Sequence, residues 1–128
     1  MREVGNLIMF NRLSLSQVCL FLLANLLRAS PTQPLIDVFF REKIYKAVVF
    51  ALGQNKTNLT AEALWICSDL TATKNSEHMQ LLVAEKKFLP SISHLGNSLF
   101  AVEQTRAQTD AILRPLLIVV GNFLDSDV

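Results

Sequence analysis

Glycine and proline are scarce in this chain of 128 residues, which has only four of each. Domains built from many short strands need these residues at their tight turns, so their scarcity argues against an all-β fold. No segment alternates apolar and polar residues regularly enough to compete as a strand. The low glycine and proline content therefore favours a helical protein.

An excess of charge of one sign is also missing. Twelve Lys and Arg residues balance eleven Asp and Glu residues, for a net charge of +1. This balance excludes a strongly basic nucleic-acid footprint, so we expect no nucleic-acid partner. A hydrophobic content of 51% excludes an acidic disordered chain. The mean hydropathy of +0.34 predicts a large core or an apolar surface that a partner covers.

The sequence lacks the motifs of catalytic and metal centres. Its two cysteines, Cys19 and Cys67, lie in apolar runs and have no zinc-ligand spacing. We expect both to be small buried residues in a reducing compartment, with a single disulfide as the less favoured alternative. His78 and His94 have no neighbouring Asp, Ser or Cys in a catalytic arrangement. We predict a protein that is not an enzyme and has no cofactor and no metal.

Long hydrophobic runs are missing as well. No run reaches the roughly 18 residues that a membrane-spanning helix needs. The longest, residues 18–27, contains Asn25 and is followed by Arg28. A membrane partner is therefore disfavoured. A secreted or membrane-associated helical protein that uses residues 18–27 as a signal or anchor is an alternative, and it predicts glycosylation at Asn55 or Asn58.

Apolar residues recur with helical spacing after an N-terminal segment of residues 1–12. The spacing predicts helices over residues 13–28, 35–40, 43–52, 61–71, 76–84, 87–95 and 110–124. We expect Gly53 to end the third helix, Thr60 to cap the fourth and Ser76 to cap the fifth. Pro115 is expected to bend or shorten the start of the last helix.

An internal repeat is the most informative feature. Residues 42–53 and 85–96 share Glu, Lys, Leu and Gly at an offset of 43 without a gap. Three predicted helices also end on an apolar residue, a small residue, Asn or Asp, and another apolar residue. A helical period of this length is typical of α-solenoids, whose repeats bury their apolar faces by stacking. The chain holds about two and a half such repeats, at residues 13–30 (partial), 31–73 and 74–128.

The segment Ala61–Leu70 resembles the third helix of an armadillo repeat of the importin-α type, with a Trp followed by an Asn-like position four residues later. Lys87–Ile92 resembles the start of a second helix, and Leu113–Asp125 resembles another third helix. Together these motifs span roughly residues 15–125. The resemblance implies an all-α, right-handed solenoid whose third helices line a concave groove.

In importin-α-like proteins the groove Trp stacks on Lys or Arg stems, and the groove Asn holds the peptide backbone. By resemblance, Trp65 is the stacking residue, and Asp69 stands at the Asn position. An ionised Asp69 cannot donate a hydrogen bond to a carbonyl, although it can pair with a ligand Lys. Each residue has a structural alternative, since Trp65 could be a core aromatic and Asp69 a helix–helix acceptor.

Two further residues match the Asn position, namely Asn25 and Asn122, with Phe21 and Ile118 at the Trp position. They would bond a peptide backbone or, equally, bond neighbouring helix termini and order the stack. The chain departs from the family pattern in having one Trp, Lys87 in place of the usual Gly, and no basic arm before the first repeat.

These features predict a non-enzymatic interaction scaffold that binds an extended peptide, including a basic nuclear-localisation-type segment. The resemblance implies a relation to nuclear import and a location in the cytoplasm or nucleus. The departures from the family pattern indicate a relative of importin-α and not a competent import receptor. The alternative is a truncated or structural fragment of a larger armadillo protein without a ligand of its own. Because the end repeats lack polar caps, we also expect further repeats or self-association at these ends.

Overall fold

The computed structural model describes residues 13–29, 32–54, 57–98 and 106–125. Within these ranges the chain forms seven α-helices and no strand, which confirms the predicted all-α class. The helices are α1 (Leu13–Ala29), α2 (Gln33–Arg41), α3 (Ile44–Leu52), α4 (Thr57–Thr71), α5 (Ser76–Ala84), α6 (Phe88–Ser98) and α7 (Arg106–Leu124). The predicted N-terminal segment 1–12 lies outside the described residues.

After α1, the helices follow in two sets of similar design. The first set has two short helices and one long helix, α2, α3 and α4, of 9, 9 and 15 residues. The second set repeats this order in α5, α6 and α7, of 9, 11 and 19 residues. The order of helices therefore recurs with the internal repeat of the sequence.

Helix α4 lies at the centre of the core. It packs against α1, α3 and α7, and α7 also contacts α6. Leu64, Ile66 and Leu70 of α4 are completely inaccessible. Leu20 of α1 and Val119 of α7 belong to the same apolar cluster. Apolar positions three and four residues apart make one face of each helix hydrophobic, and these faces meet around α4.

The two outer long helices keep part of their apolar surface uncovered. On α1 this surface comprises Val18, Phe21, Leu22 and Leu26, and on α7 it comprises Leu117, Ile118, Val120 and Leu124. Exposed apolar surface of this kind is typical of places where another element or a partner packs.

Two predicted helix caps are wrong. Asn75, not Ser76, caps α5, and its Oδ1 accepts a hydrogen bond of 3.1 Å from the His78 N–H. Thr60 is not a cap because α4 begins three residues earlier, at Thr57. Thr60 lies inside the helix and is 2% exposed. Burial of the apolar face around α4 outweighs the local capping preference of this threonine.

Proline and glycine positions agree only partly with the predictions. Gly53 ends α3 as expected. Pro34 lies in the first turn of α2, which Thr32 caps, because a proline at this point loses no helical hydrogen bond. Pro115 lies inside α7, which continues on both sides of it. Lys87 needs no glycine, since the described non-glycine residues with positive φ are Lys43 and Lys74.

An aromatic stack joins the two sets of helices. The Phe40 ring of α2 lies 4.1 Å from the His78 ring of α5, with the ring planes 5° apart. Phe40 also stacks on Tyr45 of α3 at 5.1 Å. His78 Nε2 is 3.5 Å from Asp37 Oδ1 of α2. Corresponding helices of the two sets are thus held together by ring stacking as well as by the aliphatic core.

Candidate peptide-binding surface

Trp65 and Asp69 lie one turn apart on α4 and share one face of the helix. Both are half-buried, whereas the adjacent Leu64 and Ile66 are completely buried. Trp65 therefore lies at the edge of the core with part of the residue accessible. Its role as a core aromatic and its role as a stacking residue both stay predictions.

The accessible strip of α4 is narrow because other helices cover the rest of this helix. Its half-buried residues recur with helical spacing: Ala61, Glu62, Trp65 and Asp69. Within the described part of the chain, Glu62 Oε2 is shielded from solvent and has no hydrogen-bond partner. The strip therefore combines one large aromatic ring with two carboxyl groups, a combination suited to a cationic side chain.

Asp69 has an unusual electrostatic environment. Burial raises the pKa of this carboxyl above its ordinary value, and the Arg28 guanidinium of α1 partly offsets that effect by lowering the pKa. The charged form is therefore disfavoured by desolvation and supported by one cation from the neighbouring helix. A second cation brought by a ligand would stabilise the ionised carboxylate further.

Asn122 bonds α7 to the last turn of α4. Its Nδ2 donates to Thr71 Oγ1 at 2.9 Å and to the Ser68 carbonyl at 3.3 Å. The Thr71 hydroxyl in turn donates to the Cys67 carbonyl at 2.8 Å. These are bonds to a neighbouring helix terminus, the alternative role that the sequence allowed for this residue. Contact between Asn122 and a peptide stays a prediction.

Asn25 has the same position in the sequence pattern but a different environment, since it is exposed on α1. Phe21, one turn before it, is 54% exposed, and Ile118 on α7 is 39% exposed. Because α1 and α7 both pack on α4, the positions matched to Trp65 lie at accessible places on adjacent helices. Peptide binding by Asn25 also stays a prediction.

The two cysteines are free and buried, as the sequence predicted. Burial raises the pKa of the Cys67 thiol to about 12, so it is protonated at neutral pH and is a poor nucleophile. Among the described residues, no group of three or more His, Cys, Asp and Glu side chains could hold a metal ion.

Sequence reasoning missed Arg28 and Glu62 as members of this surface. A signal for Arg28 was present, because it follows Asn25 by three residues and so falls on a neighbouring position of the same helix face. No local signal identified Ser68 and Thr71 as partners of Asn122, since more than 50 residues separate them in the chain.

No family model, curated protein or solved structure matches this chain. Among the helices in the described part of the chain, none has the length and apolar character needed to cross a bilayer.

Proposed function

We propose that this protein is an armadillo-type scaffold, a right-handed α-solenoid that binds an extended peptide across α1, α4 and α7. The recurring order of two short helices and one long helix supports this architecture, as does the packing of α1 and α7 on α4. In the proposal, the three long helices are the third helices of consecutive repeats. The repeats comprise residues 13–30 (partial), 31–73 and 74–128.

One observation carries the proposal, namely the pairing of Trp65 and Asp69 on the accessible strip of α4. The aliphatic stem of a Lys or Arg side chain stacks on the Trp65 ring, and its cationic head pairs with Asp69. Desolvation raises the pKa of Asp69. A ligand cation therefore stabilises the ionised form of this carboxyl group more than it would stabilise a fully hydrated carboxylate.

The ligand in this proposal is a short extended segment that contains Lys or Arg, such as a nuclear-localisation-type peptide. Arg28 competes with the ligand cation because it already lies near Asp69. The Nδ2 group of Asn122 donates to Ser68 and Thr71 of α4, so a hydrogen bond from this group to a peptide carbonyl would replace one of these bonds. We place such a scaffold in the cytoplasm or nucleus, with nuclear protein import as the related process.

Fluorescence tests the proposal directly, because Trp65 is the sole tryptophan of the chain. The probe is a tryptophan-free peptide with five consecutive lysines, titrated into the protein at low ionic strength. We expect a saturable change in Trp65 emission. A peptide with five glutamates in place of the lysines is the control and should cause no saturable change. Absence of any change with the lysine peptide would contradict the proposal.

Variants identify the contacts when binding is measured by the anisotropy of a labelled lysine peptide. Trp65→Ala should weaken binding about tenfold through loss of the cation–π contact. Arg28→Gln should strengthen binding several-fold, because it removes the competing cation. The matched controls are Leu89→Ala and Arg41→Gln, which alter exposed residues of α6 and α2. Equal affinities of the peptide for Trp65→Ala and for the unsubstituted protein would show that Trp65 is not part of the binding site.

A second candidate function is supported by the uncovered apolar surfaces of α1 and α7. In this alternative the chain is a structural segment of a larger armadillo array, and further repeats or a second copy cover these surfaces. Sedimentation velocity across a concentration series distinguishes the two. Self-association that is reversed by Leu22→Lys or Leu117→Lys favours the structural segment. A cooperatively folding monomer favours the peptide-binding scaffold.

A further inference from the structure

A pocket that contains neither Trp65 nor Asp69 lies where α3 ends and α6 begins. This pocket has a volume of about 410 Å³, within the range of about 300–1,000 Å³ that small-molecule sites occupy. Leu52, Gly53 and Pro90 form its apolar part. A Cβ atom built on Gly53 would lie 3.7 Å from Ser91 Oγ, so the two sides of the pocket approach closely at this glycine.

The polar part of the pocket is rich in hydrogen-bond donors. Its side chains are those of Lys86, Lys87, Ser91 and His94. Two ammonium groups, one hydroxyl and one imidazole supply donors and at least two positive charges. The pocket also adjoins the amino end of α6, where the helix dipole adds a partial positive charge to that of the lysines.

Among the described residues that line the pocket, no carboxylate neutralises this charge. None of the described residues that line it is an Asp or Glu. Glu85 precedes the two lysines in the chain, but its carboxylate is 3.7 Å from Lys46 Nζ. Within the described part of the chain, Lys86 and Lys87 form no ion pair, and both are exposed. The pocket therefore has an uncompensated positive charge.

We infer that this pocket binds the phosphate group of a small anion, with Lys86 and Lys87 pairing with its charge and Ser91 and His94 donating to its oxygens. A phosphate dianion matches two ammonium groups in charge and offers several acceptor oxygens at once. The concave shape and the overall net charge of only +1 favour a small ligand over a nucleic acid. Free phosphate and the phosphorylated headgroup of a lipid share this chemistry.

The test is a titration of the isotope-labelled full chain with inorganic phosphate, followed by amide NMR at constant ionic strength. We expect saturable shifts of the backbone amides of Gly53, residues 86–89 and Ser91, with a Kd on the order of 1 mM. The double variant Lys86→Gln/Lys87→Gln should bind at least about tenfold more weakly, because two charge-assisted contacts are lost. Both lysines are exposed, so circular dichroism should report an unchanged fold.

The matched control is Arg41→Gln/Lys43→Gln, which removes the same amount of charge at the other end of α3, outside the pocket. This control should keep the affinity of the unsubstituted chain. Shifts that never saturate, or equal affinities for the two double variants, would overturn the inference.

A second arm of the experiment identifies the source of the phosphate group. The chain is sedimented with phosphatidylcholine vesicles that contain or lack phosphatidylinositol 4-phosphate. Binding to the phosphorylated vesicles that depends on Lys86 and Lys87 supports the site with a lipid as its source. Saturable binding of free phosphate without vesicle binding supports it with a soluble source. Failure of both ligands to bind overturns the inference, and it leaves the result for Trp65 unaffected.

Discussion

Helix α4 and the two long helices beside it have similar apolar patterns but different degrees of burial. On α4, Leu64 and Leu70 are completely inaccessible. On α1 and α7, Leu22 and Leu117 are each 60% exposed. The difference arises because two long helices, α1 and α7, pack on α4, whereas within the described residues α1 and α7 each have α4 as their main long neighbour. Burial of a leucine here depends on the neighbours of its helix more than on its local sequence.

The largest expected effect is that of Leu70→Ala in α4. We expect a loss of about 2–5 kcal/mol in the free energy of unfolding, because the substitution leaves a cavity in a closed core. The matched substitution on α1, Leu22→Ala, should change this free energy by only about 0.5 kcal/mol. Urea denaturation followed by circular dichroism measures both. Equal losses would mean that another copy of the chain covers the α1 surface in solution.

The two asparagines of the repeat pattern give the second comparison. Asn122→Ala should cost about 1–3 kcal/mol, since it removes the donor to Thr71 Oγ1 and one of the two side-chain donors to the Ser68 carbonyl. Asn25→Ala, at the exposed position on α1, should have a negligible effect. The same denaturation experiment checks both variants. A large loss for Asn25→Ala would show that Asn25 makes a stabilising contact with another element, as Asn122 does with α4.

The contact between α4 and α7 can be isolated further with a double-mutant cycle of Asn122→Ala and Thr71→Val. We expect a coupling free energy of about 0.5–1.5 kcal/mol, because the amide of Asn122 donates to the Thr71 hydroxyl at 2.9 Å. If the two substitutions have strictly additive effects on the free energy of unfolding, this hydrogen bond does not stabilise the fold.

The smallest expected effect is a stabilisation by Asp69→Asn. Since burial raises the pKa of Asp69 above 3.8, the neutral acid favours folding. This contribution is complete below the ordinary pKa and is lost as the pH rises through the raised pKa of the folded chain. Asparagine stays neutral, so we expect the variant to be more stable at pH 7 by about 0.5 kcal/mol.

The advantage of Asp69→Asn should shrink as the pH falls, because the acid of the unsubstituted chain then becomes neutral too. Denaturation at pH 7 and pH 4 measures this change. An advantage that is constant with pH would mean that the ionised carboxylate is not disfavoured in the fold.

The helices could be predicted from the sequence, because apolar residues recur in them with helical spacing. Which apolar face of α1 is buried could not be predicted, since Val18, Leu22 and Leu26 share this spacing and are exposed. The helix starts could not be predicted to the residue. Asn75 and Ser76 are adjacent and are both good caps, so only the chain geometry selects Asn75. Thr60 has the chemistry of a cap but lies in a buried turn of α4.

The candidate site could be predicted only in part for a related reason. Trp65 and Asp69 lie on one helix, so their spacing alone places them on one face. The neighbour of Asp69, Arg28, comes from a helix some 40 residues earlier. The basic pair Lys86–Lys87 has the pattern of a solvated helix start, and it becomes part of a pocket only where the end of α3 meets it. Tertiary neighbours of this kind leave no local pattern in one sequence.

Pro115 gives α7 a property that the other long helices lack. A proline has no backbone N–H, so the carbonyl of Ala111 loses its donor within the helix, and the ladder of backbone bonds is interrupted there. The second half of α7, which bears Asn122, is anchored to α4 by that residue. Because of this interruption, α7 should bend more easily at residues 111–115 than elsewhere along its length. Motion of the first half of α7 relative to the anchored second half should therefore occur as bending at residues 111–115, at small energetic cost.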